Sequence, residues 1–106
     1  MIAMEADLFR VLADPTRRAM FERLAGGERT VSELKAGFAV SQPAISQHLS
    51  ALRRAGLVAE RRAGRFSYYR AIPGALAPLS MWIERYRAFW PARLRNLKRV
   101  LEDLDR

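Results

Sequence analysis

At 106 residues, with no cysteine and one histidine, the chain has room for one domain and one apolar core but for no disulfide and no thiolate metal site. Nineteen Lys/Arg against eleven Asp/Glu give a net charge of +8, and residues 15–72 hold eleven of the basic side chains with only four acids, a field that suits a polyanionic partner. The start, MIAMEADLFR, lacks the basic and apolar regions of a secretory signal, and the uncharged apolar run at residues 71–83 is short and broken by Pro73 and Pro78, so a cytoplasmic protein with no membrane span is expected.

In chain order, residues 5–13 read as a first helix with Leu8, Phe9 and Leu12 as its apolar stripe. Asp14-Pro15 offers a side-chain cap and a proline at the first helical position, opening a second helix that turns Met20, Phe21 and Leu24 inward and stops at Gly26-Gly27. Thr30-Val31-Ser32-Glu33 has capping-box spacing, the hydroxyl and the carboxylate each taking the other residue's backbone N–H. A third helix follows with Val31, Leu34 and Phe38 inward, and a tight turn near Ala39-Val40 leads to Ser41.

Residues 41–58, SQPAISQHLSALRRAGLV, are the most informative stretch. Ser41 is an N-cap, Pro43 sits in the first turn where a missing donor costs nothing, and Gly56 ends the helix. Ile45, Leu49 and Leu52 recur at helical spacing as a core face, which places Pro43, Ser46, Gln47, Ser50 and Arg54 on the opposite side. That side has no acid and little bulk, so it fits a DNA major groove about 12 Å wide. His48 falls roughly 60° off the core direction and reads as a packing or phosphate-flanking residue.

After Gly56 the period changes from 3.6 to 2. Residues 57–62 and 66–72 read as two strands joined by Ala63-Gly64-Arg65, with Arg61, Arg62 and Arg65 crowding the tip. Phe66, Tyr68 and Arg70 share one face; Ser67, Tyr69 and Ala71 share the other. The last third is helical: Leu76, Leu79, Ile83, Tyr86, Trp90, Leu94, Leu97, Leu101 and Leu104 form a seam, widened by Trp82 and Phe89 and interrupted by a kink expected at Pro91. The fold class expected is mainly α with a small β-hairpin wing: a winged helix-turn-helix. It is one domain, 1–106, with a helical core at 14–56, a wing at 57–72 and dimerisation helices at 1–13 and 74–106. A stripe about 30 residues long exceeds what so small a core can cover. Part of it is therefore expected to meet a second copy through Leu8, Phe9, Leu79, Trp82, Ile83, Tyr86, Trp90, Leu94 and Leu97.

The chain resembles the arsenic-repressor (ArsR/SmtB-type) family of bacterial winged-helix transcription regulators. The residues that carry this are Leu12-Ala13-Asp14-Pro15-Thr16-Arg17, Glu33-Leu34, Ser41-Gln42-Pro43, Ser46-Gln47-His48-Leu49, Leu52-Arg53, Gly56-Leu57-Val58, Gly64-Arg65 and Tyr68-Tyr69-Arg70, in order from about residue 8 to 72. The resemblance implies a homodimer on double-stranded operator DNA, usually a repressor, with Gln42, Pro43, Ser46 and Gln47 at base-reading positions. Phosphate contacts then fall to Ser41, Arg53, Arg54, Arg61, Arg62 and Arg65. Two departures bear on mechanism. Many relatives bind metal through a Cys-Val-Cys-Asp-Leu stretch, where this chain has Thr30-Val31-Ser32-Glu33-Leu34, and others use Asp and His on the last helix, which here has no histidine. No metal and no cofactor are expected, and the small-molecule effector is unknown. Ala39 stands where the family often has glycine.

Two rival classes compete with this reading. An enzyme lacks material: one histidine, no cysteine, no phosphate-cradling glycine loop and no recognisable pair of acids. A winged-helix protein- or RNA-interaction module without operator specificity would share the fold but lose binding to excess random duplex.

Overall fold

The structure, a computed structural model, describes residues 2–87 and 91–104, and its first boundary is set by Asp14. Helix α1 spans Ile2–Leu12, starting three residues earlier than the apolar pattern suggests. The Asp14 carboxylate then accepts the backbone N–H groups of Thr16 at 2.8 Å and Arg17 at 3.2 Å, opening α2, Pro15–Ala25. Arg18 reaches back to donate to the carbonyls of Leu12 (2.7 Å) and Ala13 (3.2 Å), groups a helix end leaves unpaired.

The capping box forms in full. Thr30 Oγ1 accepts the Glu33 N–H at 3.2 Å and the Glu33 carboxylate accepts the Thr30 N–H at 2.9 Å, which starts the short α3, Val31–Lys35. Among the described residues only glycines have positive φ, so Ala39 keeps an ordinary backbone conformation and the turn before the next helix is unstrained. Helix α4, Gln42–Arg54, begins with the Ser41 hydroxyl on the Ala44 N–H. It ends in a Schellman motif: Leu57 N–H to Leu52 C=O and Gly56 N–H to Arg53 C=O, both 2.9 Å, with Gly56 at φ 79°.

The sheet has three strands where the sequence pattern shows two. Strands β2 (Val58–Ala63) and β3 (Phe66–Ala71), named after the two-residue strand β1 (Arg29–Thr30), pair antiparallel around Gly64-Arg65, with Gly64 at φ 62°. β1 pairs with the other edge of β3, Arg29 opposite Tyr69 and Thr30 opposite Tyr68, giving the order β1-β3-β2. So short a strand has no alternation to read, and its residues double as the cap of α3.

Met20, Leu34, Ile45, Leu49, Leu52 and Leu57 are sealed in one core to which α1, α2, α3, α4, β2 and β3 all contribute. Removing a Leu side chain at such a site costs about 2–5 kcal/mol. Leu8 belongs to this core at 3% exposure, which corrects the expectation that it faces a second copy: the α1 stripe spends Leu8 and Val11 on its own domain and leaves Phe9 outside. After a 3-10 turn at Pro73–Leu76, α5 runs Ala77–Arg87 and α6 runs Pro91–Leu104. Pro91 is the first described residue of α6; the site of the expected kink, with Phe89 and Trp90, lies outside the described residues, as does the Leu94 side chain. The radius of gyration, 17.0 Å, exceeds the roughly 13 Å of a compact chain this long.

Candidate nucleic-acid interface

Helix α4 is divided lengthwise. Ile45, Leu49 and Leu52 are at most 2% exposed, while Gln42, Pro43, Ser46 and Gln47 all face solvent on the other side. No acid lies on the helix, and its last turn carries Arg53 and Arg54. The structure thus brings the four expected base-reading residues onto one open surface, with two amide side chains, one hydroxyl and one proline edge. Gln suits adenine N6/N7 and proline a thymine methyl. Ser41, also exposed, accepts the Ala44 N–H at 3.3 Å through its hydroxyl oxygen, which leaves the O–H free to donate to an anion beside the backbone end of the helix.

The expected phosphate arginines divide into two groups. Arg54, Arg62 and Arg65 are exposed and have no ion pair among the described residues. Arg53 and Arg61 are engaged. Arg61 donates to the Glu28 carboxylate from Nε (3.2 Å) and Nη2 (2.7 Å) and lies 4.7 Å from the Tyr68 ring centroid, tying the wing to the loop before β1. Arg53 sits 3.5 Å from Glu60, whose carboxylate also accepts the Tyr69 hydroxyl. Burial first, then the Glu60 hydrogen bond, pushes the Tyr69 phenol up to about 12. Hydrogen bonding to Arg61 holds the Glu28 carboxyl below its usual range.

One interaction lay beyond sequence reasoning. Arg17 Nε, on the first turn of α2, donates to His48 Nδ1 on α4 at 3.1 Å. His48 is half-buried and its imidazole fixes the second helix against the recognition helix. The two residues are 31 positions apart, and no local pattern joins them.

Away from this face, Phe9 on α1 meets Trp82 on α5 edge-on at 5.4 Å, and Trp82 meets Tyr86 at 4.9 Å. All three stay about 40% exposed, with Ile83, Leu97 and Leu101 above 50%. Leu79 is half-buried. The apolar stripe is therefore left uncovered by its own chain along most of its described length.

The metal positions of the family do not fit here. The Thr30 hydroxyl caps Glu33, Ser32 offers a hard hydroxyl where a soft thiolate is needed, and among the described residues no three His, Cys, Asp or Glu side chains converge.

Comparison with known proteins agrees with this geometry. Residues 12–61 match the family model described as a helix-turn-helix domain. The chain is 42% identical to the HTH-type transcriptional regulator Rv2034 of Mycobacterium tuberculosis over 89% of its own length and 85% of the relative's. It is 39% identical to the biofilm growth-associated repressor of Agrobacterium fabrum, over 87% and 76%. The ArsR-like transcriptional regulator from Rhodococcus sp. RHA1 superposes with a TM-score of 0.74 at 34% identity, over 93% of each chain. With its capped recognition helix, basic wing and these relatives, the chain belongs to the ArsR family of winged helix-turn-helix transcription regulators and binds DNA.

Proposed function

We propose that the protein is a cytoplasmic homodimeric repressor that binds an inverted-repeat operator and does not respond to metal. The observation that carries this is the division of α4, one face sealed in the core and the other presenting Gln42, Pro43, Ser46 and Gln47 beside three uncommitted arginines. The uncovered stripe on α5 and α6, with Phe9 and the aromatic pair beside it, is the surface a second copy would take, and two-fold pairing puts two such helices into major grooves one turn, about 34–36 Å, apart. Repression is favoured by the names of relatives such as the Agrobacterium repressor. Independence of metal is supported by the donor chemistry, since Thr30 and Ser32 stand at the two cysteine positions and the last helix has no histidine.

The test is selection of bound duplexes from a random pool at physiological salt. A palindromic consensus that survives excess random duplex is expected, and its placement across the promoter of the gene it silences fits repression. Recovery of no consensus would exclude operator recognition. Tight stoichiometric zinc binding by the purified chain would overturn the metal-independent part alone.

A further inference from the structure

Helices α1, α2 and α4 enclose a cleft of about 380 Å³ on the side of the domain away from the aromatic face. Asp7 and Val11, on its α1 wall, lie two positions from Phe9 and so about 160° around the helix from it. The volume falls within the roughly 300–1,000 Å³ range of small-molecule sites. Its floor is apolar, formed by Val11, Ala51 and Ala55, and its rim carries the guanidinium groups of Arg10, Arg17 and Arg54.

The rim charges are unequally committed. Arg10 is 3.7 Å from the Asp7 carboxylate, the one acid on the lining, so that pair nearly cancels. Arg17 uses Nε on His48, and Arg54 has no hydrogen bond or ion pair among the described residues. Arg17 and Arg54 therefore both line the cleft beside its apolar floor, and neither is in an ion pair among the described residues. Guanidinium forks match carboxylate and phosphate oxygens, whereas the floor offers nothing to a fully hydrated ion.

We propose that this cleft binds a small organic anion, with its carboxylate or phosphate held by Arg17 and Arg54 and its apolar body on Val11, Ala51 and Ala55. The occupant is a compact amphipathic acid, one per chain. It would share Arg54 with the DNA backbone and, through Arg17 and His48, touch the seating of the recognition helix. Ligand and operator then weaken each other by the same factor, as linkage requires.

The cleft itself is tested on the free full-length chain, by titration with phenyl phosphate, inorganic phosphate and benzyl alcohol, followed by backbone amide shifts. Phenyl phosphate is expected to saturate one site per chain, to move the amides of Val11, Ala51 and Ala55, and to bind at least tenfold tighter than either other probe. Arg54→Ala removes one fork and Ala51→Leu fills the floor while keeping every charge; each is expected to weaken binding at least tenfold. Should Ala51→Leu fail to fold, Arg10→Ala gives the second reading: removing the partner of Asp7 frees an acid beside the site and also weakens binding. Inorganic phosphate binding as tightly as phenyl phosphate would mean bare charge of the kind a DNA backbone meets, and would overturn the proposal. Shifts falling outside the cleft would do the same. No DNA is present, so failure here leaves operator recognition untouched, and a chain that ignores operator DNA yet binds phenyl phosphate keeps the cleft.

Discussion

Gln47 and Arg65 separate two kinds of contact that a single affinity value would merge. Gln47 is exposed on the face of α4 proposed to read bases, where one good pair to a base edge would discriminate by about 1–3 kcal/mol. Arg65 is exposed at the wing turn with no ion pair of its own among the described residues. Gln47→Ala is therefore expected to narrow the gap between operator and random duplex, and Arg65→Ala to weaken both about equally while making the salt dependence shallower by about one phosphate charge. Competition binding at two salt concentrations distinguishes them; equal loss of specificity in both variants would misplace the reading surface. Arg61 differs from Arg65 although both sit at the tip in sequence. Its guanidinium is already held by Glu28 and Tyr68, so Arg61→Ala is expected to loosen the wing, seen as faster amide exchange in β1 and β3. Which arginine is free depends on a partner 33 residues away, and no tip-counting rule contains that information.

Ionisable groups tie the fold to pH at both ends. Asp14 is held below the usual 3.8 chiefly by the Arg17 backbone N–H, Glu33 below 4.5 by that of Thr30, and Glu28 below 4.5 by Arg61. In each case the ionised form belongs to the folded state, so its stabilisation is fully present above the ordinary carboxylate range and is lost as pH falls through the lowered values. Tyr69 runs the other way: raised to about 12, its proton favours the folded chain below pH 10, and that contribution disappears between 10 and 12. Thermal unfolding is expected to hold level near neutrality and to fall below pH 4, with Asp14→Ala flattening the acid-side slope. A slope unchanged in that variant would remove the cap from the explanation.

At the scale of elements, capping chemistry made the boundaries legible. Asp14-Pro15, Thr30 with Glu33, Ser41 and Gly56 each state a start or stop in local chemistry, and each forms the bond its residue type allows. Thr30→Ala should cost about 1 kcal/mol in chemical denaturation, and Gly56→Ala about as much, since a Cβ is strained at φ 79°. A change near zero at Gly56 would show that the turn can leave the left-handed region. What depended on distant pairing was not legible: the β1 edge strand, the clasp between Arg17 and His48, and the choice of Leu8 over Phe9 for the core. Periodicity assigns residues to a face of a helix, but which part of an apolar face meets its own domain is decided by helices far away in sequence.

For the whole molecule, the proposed dimer would join the uncovered C-terminal stripe to the spacing of the operator. Leu97 and Leu101 are more than half exposed on α6, so replacing both with Glu is expected to give a folded monomer by light scattering that binds half-sites weakly. Binding through about ten neutralised phosphates in a dimer would lose roughly 10³–10⁵ in affinity between 50 and 200 mM salt. The most direct test of paired recognition helices is affinity for a series of duplexes in which the two half-sites are moved apart base pair by base pair. Two-fold pairing predicts tightest binding with half-site centres about 10–10.5 bp apart or a multiple of that, and steep loss when half a helical turn is inserted. Affinity that ignores the spacing would contradict it.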